Sequence, residues 1–146
     1  MSHLKSLAFH SIQVALLGSS LSIYGAAFAQ DGTRSNAWEK VDSGVQVELR
    51  GLSVVDASTA WASGAKGTVL RTSDGNTWQA FKVPGADKLD FRDIQGFDAQ
   101  TAIAMSAGPG KASTLYKTRD GGATWELLKV NGDETGFWDA MDFWDR

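Results

Sequence analysis

Two short runs combine a carboxylate, hydroxyls and glycine at spacings that chemistry could use. They are Thr72-Ser73-Asp74-Gly75-Asn76-Thr77-Trp78 and Thr118-Arg119-Asp120-Gly121-Gly122-Ala123-Thr124-Trp125. A carboxylate followed by glycine is one ingredient of phosphate and calcium loops, but the spacing matches neither a Walker loop nor an EF-hand. The competing role is a tight turn. There the aspartate accepts backbone N–H bonds, glycine supplies positive φ, and tryptophan buries a large surface. That structural role is the one assigned to Thr72, Asp74, Gly75, Thr77 and Trp78, and to Thr118, Asp120, Gly122, Thr124 and Trp125.

Other chemistry is limited by what the chain lacks. Residues 1–29 read as a secretory signal: Lys5 gives the positive start, Ile12 to Ile23 is mostly apolar, and Ala27-Phe28-Ala29 is a small-x-small cleavage site before Gln30. The apolar run is too short and too interrupted for a membrane span. Both histidines, His3 and His10, lie in this stretch, and the chain has no cysteine. Export therefore leaves a chain without an imidazole base for Ser-His-Asp or Cys-His catalysis. It also lacks the usual zinc ligands and any disulfide. No catalytic residue, metal site or cofactor is expected. The whole chain carries a net charge of −3 with no basic cluster, which argues against nucleic acid as a partner.

The elements that position these runs follow from an internal repeat. Val47 to Gly85 is one unit and Leu89 to Gly132 the next. Arg50, Leu52, Val55 and Asp56 match Arg92, Ile94, Phe97 and Asp98, and Asp74 and Trp78 match Asp120 and Trp125. The offset of 42 to 47 residues suits one four-stranded propeller blade. Alternating patterns predict strands at about 48–55, 59–63, 67–72 and 77–82, then 90–97, 101–106, 113–118 and 124–129. Turns are predicted at Asp56-Ala57-Ser58, Asp98-Ala99-Gln100 and Ala65-Lys66-Gly67. Pro84 and Pro109 fall in connections. The fold class is all-β.

The repeat is offset from the ends of the sequence. Asn36 to Val41 resembles Thr124 to Val130, the last strand of a blade, and Met141, Trp144 and Asp145 fall where Ile94, Phe97 and Asp98 did. The expected organisation is a signal peptide at 1–29, an outer ring-closing strand at 30–46, one blade at 47–87 and a second at 88–132. The start of a truncated third blade follows at 133–146. This is the pattern of an N-terminal fragment of a larger propeller.

The boxes resemble those of Asp-box (BNR-type) propellers, which include sialidases, sortilin-type receptors and the photosystem II stability/assembly factor family. The stretch from Leu52 to Trp78 is most similar to a blade of the last group: a hydrophobic strand, Asp-Ala, a Trp-Ala-x-Gly strand, Gly-Thr-Val, then the box. That resemblance implies an exported, non-enzymatic scaffold, linked to photosynthesis, that binds another envelope or membrane-complex protein. A sialidase-like or other glycoside hydrolase is the alternative, with its active-site residues in further blades; a non-functional truncated product is a third. Phe91-Arg92-Asp93-Ile94 is superficially similar to the first arginine segment of sialidases, but it has an inserted Asp, lacks the Pro and follows a box. Tyr116, the one tyrosine outside residues 1–29, sits in an ordinary strand.

Arg50 and Arg92 hold equivalent places in first strands, which line a propeller's channel, so they could form part of a cationic channel mouth for an anionic ligand or acidic segment. The preferred reading is pairing with nearby Asp90 or Asp93; the third-unit counterpart is Asp139, so such a ring is not uniform. Of the six tryptophans, Trp38, Trp61, Trp78 and Trp125 are expected in packing. Trp138 and Trp144, with Phe137 and Phe143, are expected on an exposed apolar edge. Two blades leave unpaired edges, so self-association through them, or marginal stability, is expected. The predicted location is the periplasm or outside the cell, after cleavage near Ala29-Gln30.

Overall fold

The computed structural model describes residues 40–144; the proposed signal, Trp38 and most of the ring-closing strand lie outside the described residues. Eight strands form two antiparallel sheets, each a four-stranded meander. The first contains β1 (Leu49–Val54), β2 (Ala60–Gly64), β3 (Thr68–Thr72) and β4 (Trp78–Lys82). The second contains β5 (Asp90–Gly96), β6 (Ala102–Ala107), β7 (Thr114–Thr118) and β8 (Glu126–Val130). A 3-10 turn, Gly110–Ala112, is the one helical piece among the described residues. Most strands begin a residue or two later than the alternation predicts, because the flanking residues are used in turns; Thr124, for example, donates its N–H to Asp120.

Each turn shows why its residues are there. Asp56 accepts from the N–H groups of Ser58 and Thr59, both at 2.8 Å, and Asp98 accepts from Gln100 and Thr101 at 2.6 and 2.7 Å. These bonds close the β1–β2 and β5–β6 hairpins and hold both carboxyls below the usual carboxylate range, chiefly through the Ser58 and Gln100 N–H groups. Between β2 and β3, Lys66 and Gly67 both take positive φ, 58° and 64°. Gly67 also touches the inter-sheet linker. Its N–H donates to Leu89 O, its carbonyl accepts from Val83, and a Cβ there would lie 2.6 Å from Ala86 O.

The two sheets meet face to face, with β5 against β1 and β2. The first sheet contributes Trp61 and Val69, the linker Val83 and Ala86, and the second sheet Phe91, Ile94, Ala102 and Ala104, all buried. Trp61 is fully buried and donates its indole N–H to Asp98 O at 2.9 Å. Polar bonds fix the register between sheets. Ser63 Oγ donates to Phe91 O at 3.1 Å, Ser53 Oγ accepts from Gly96 N at 3.0 Å, and Arg71 donates to Ala99 O at 2.7 Å.

After β8 the chain runs back over the second sheet. No strand forms in 133–144; an isolated bridge joins Phe137 to Pro109. The start of a third blade expected at 133–146 forms no ladder: among the described residues no strand pairs with this segment. Its position repeats the first inter-sheet contact. A Cβ on Gly51 would approach Ile94 N at 3.0 Å, and at the equivalent place Asp93 Oδ2 accepts from Met141 N at 2.9 Å. Val55 lies beside Gly96; its counterpart Phe97 meets Phe143 edge-on, 5.1 Å between centroids.

Candidate functional site

The two boxes hold the residues with the most obvious chemical potential. Asp74 Oδ1 accepts from Thr77 N at 2.7 Å, Asn76 N at 2.8 Å and Thr72 Oγ1 at 3.1 Å, while Thr72 Oγ1 accepts from Gly75 N at 2.9 Å. Asp120 accepts from Thr124 N at 2.9 Å and, through Oδ2, from Thr124 Oγ1 at 2.5 Å. Thr118 Oγ1 donates to Asp120 Oδ1 and accepts from Gly122 N. Gly75 (φ 75°), Gly121 (74°) and Gly122 (97°) supply the positive φ values. The second box is longer by one residue and so uses two such glycines. Every carboxylate oxygen with a partner faces the turn's own donors. Among the described residues no group of three or more His, Cys, Asp or Glu is placed to hold a metal ion.

These bonds act on the carboxylates. N–H donation from Thr77, then Asn76, brings Asp74 down to about 2, and the Thr124 hydroxyl and N–H bring Asp120 to about 2. A carboxyl depressed in the folded state stabilises the fold above its unfolded value, near 3.8, and that contribution disappears as pH falls through the folded value. Stability is therefore expected to decline between about pH 4 and pH 2. Asp74→Asn with Asp120→Asn is expected to lower stability at pH 6 and flatten the decline, read as the urea midpoint at each pH. An unchanged slope in the double variant would assign the acid sensitivity to other groups. Both carboxylates are exposed, so the pH effect is modest.

The box tryptophans diverge. Trp125 packs on the core, meets Trp61 edge-to-face with 6.5 Å between centroids, and donates to Gly122 O. Trp78, its counterpart, is half-buried and lines an open groove on the outer side of the first sheet. Tyr116 is used in packing, edge-on to Phe91 at 5.7 Å. Trp138 is half-buried, its N–H donating to Ser113 Oγ at 3.0 Å, while Trp144 is fully exposed.

The arginines form the more distinctive constellation. In β1 the pairing steps from Leu49↔Gly64 to Gly51↔Ser63, which leaves Arg50 without a partner. In β5 it steps from Phe91↔Ser106 to Asp93↔Met105, which leaves Arg92 without one. Both arginines thus sit on β-bulges at the same place in consecutive first strands. An extra residue bends the strand and re-aims its side chain out of the ladder. Arg50 reaches Asp90 Oδ2 at 3.0 Å and Glu48 at 2.7 Å. Arg92 pairs with Asp139 and lies over the Phe137 ring, 5.8 Å to its centroid. The expected partner Asp90 is therefore found for Arg50, whereas Arg92 turns to Asp139 because Asp93 is engaged with the N–H groups of Ile94 and Met141. Both guanidinium-bearing side chains stay a little over a third exposed, at 37 and 38%. The bulges leave no signal in the sequence: an extra residue keeps the apolar alternation intact on either side, and only the cross-strand partner exposes it.

Repeated four-stranded meanders packed face to face, each closed by an Asp-box hairpin, define the chain as blades of an Asp-box β-propeller. A family model described as photosynthesis system II assembly factor YCF48 matches residues 30–137. The chain belongs to that family. Two solved structures are similar. One, YCF48 from Cyanidioschyzon merolae, aligns with a TM-score of 0.51 and 23% identity over 65% of this chain and 30% of that one. The other, YCF48 bound to D1 peptide, aligns at 0.48 and 21% over 58% and 27%. The chain thus spans less than a third of the length of these two proteins. No curated protein matches the sequence.

Proposed function

We propose that the chain supplies two blades of an exported, non-enzymatic propeller scaffold that binds an acidic, extended segment of a membrane-complex protein. The observation that carries this reading is the pair of arginines on equivalent bulges of β1 and β5. A bulge weakens a ladder locally and re-aims one side chain, and here the same device recurs with the same cation. Family membership supports the scaffold role and its link to photosystem II assembly. Side-chain chemistry agrees: the boxes direct their carboxylates into their own turns, and Tyr116 is used in packing. Export, and with it a periplasmic or extracellular place of action, rests on the character of residues 1–29.

Arg50 and Arg92 are each held by carboxylates of this chain, so a ligand must exchange one ion pair for another. Guanidinium groups suit such exchange because they bind carboxylates bidentately and stack on aromatic faces. The test uses a fluorescently labelled D1 peptide and anisotropy. Arg50→Ser with Arg92→Ser is expected to weaken binding about tenfold, the equivalent of about 1.4 kcal/mol, and to reduce its salt dependence. Asp139→Asn, which releases Arg92, is expected to tighten binding. Equal affinity for wild type and the double variant would remove the arginines from the site.

A further inference from the structure

A lysine holds a strained place at the end of the first sheet where Arg50 lies. In the β2–β3 turn Lys66 has φ 58°, the one positive φ of a non-glycine residue among the described residues. Glycine, asparagine and aspartate adopt that conformation readily, and a lysine adopts it at a cost. Backbone outliers of this kind cluster at ligand-binding positions. A second lysine is drawn to the same turn. Lys82 Nζ donates to Lys66 O at 2.6 Å and to Thr68 Oγ1 at 2.7 Å. Both acceptors are neutral. Lys66 and Lys82 are exposed, and among the described residues neither forms an ion pair.

The blade does not require these lysines. In the second sheet Val130 stands opposite Thr114, as Lys82 stands opposite Thr68. There the Thr114 hydroxyl shares a hydrogen bond with Ser106 Oγ at 2.6 Å instead. The position of the pair is fixed by the ladder. Leu49, Gly64, Thr68 and Lys82 stand opposite one another across β1 to β4. Arg50, on the bulge after Leu49, and Lys82 therefore lie at the same end of the sheet, on its first and last strands. Three strand spacings separate them, about 14 Å, which about four residues of extended chain cover. Residues i and i+4 of such a chain also point to the same side.

We infer that the acidic segment bound at Arg50 continues across this end of the first sheet. Lys66 and Lys82 then select a ligand with a second carboxylate about four residues from the one at Arg50. The inference rests on the arginine site proposed above and adds the spacing of acidic groups which that site accepts. Complementary charges of this kind contribute specificity more than raw affinity.

Anisotropy with two labelled synthetic peptides of equal composition tests the spacing: one carries its glutamates four residues apart, the other side by side. Wild type is expected to prefer the spaced peptide by about fivefold, the scale of one exposed ion pair. Lys66→Asn with Lys82→Gln is expected to abolish that preference. Asparagine suits the turn, so Lys66→Asn alone is expected to weaken binding of the spaced peptide while its urea midpoint stays equal or rises. Equal affinity of wild type for the two peptides overturns the inference, as does a preference that survives the double variant. If either result comes with binding that Arg50→Ser weakens, the arginine site stands and only its extension falls. If wild type binds neither peptide, the arginine site and its extension fall together.

Discussion

Trp61→Ala is expected to remove about 4 kcal/mol of folding stability, the range found for large-to-small changes at fully buried aromatic positions. The indole lies between the two sheets with no exposed surface, and its N–H satisfies Asp98 O. Truncation opens a cavity, removes the edge-to-face contact with Trp125, and orphans a carbonyl at the turn that carries Asp98. Small domains hold only about 5–15 kcal/mol in total, so the variant should lose cooperative unfolding or unfold at very low urea. Trp78→Ala is the matched control. Trp78 belongs to the same kind of box as Trp125 but is half-buried beside the open groove, so its loss is expected to cost about 1 kcal/mol. Similar urea midpoints for the two variants would mean that the inter-sheet core is not the main source of stability.

The second large effect is expected at Gly67. A non-glycine residue at φ 64° costs about 1–2 kcal/mol by backbone sterics alone. Here a Cβ would also lie 2.6 Å from the Ala86 carbonyl oxygen, which belongs to a linker fixed by four backbone hydrogen bonds. Gly67→Val therefore forces the β2–β3 turn and the linker apart, and a loss of more than about 3 kcal/mol is expected. Gly85 separates the two causes. Its φ is 76°, yet nothing lies within 4 Å of its Cβ position. Gly85→Ala should show the strain without the collision, about 1 kcal/mol. If both variants unfold at the same urea concentration, the approach of the linker to the turn contributes nothing measurable.

The local layer of this protein is legible in its amino-acid sequence. Eight strands, the Asp56 and Asp98 turns and both boxes could be read from it, because period-2 alternation and Asx hydrogen bonding involve residues only a few positions apart. The all-β blade repeat followed from self-similarity for the same reason. Features that depend on a partner distant in the chain emerge only on packing. Trp78 and Trp125 look alike in sequence, but only Trp125 meets another sheet across its face. Arg50 and Arg92 look like ordinary strand residues until the cross-strand register shows that both are extra. Residues 133–146 are expected to begin a further blade, and Phe143 does meet Phe97 of the second sheet, yet a ladder needs a neighbour to accept its hydrogen bonds and only a single bridge forms at Phe137. Pattern specifies which face of a strand seeks burial; only the packed molecule specifies which faces find it.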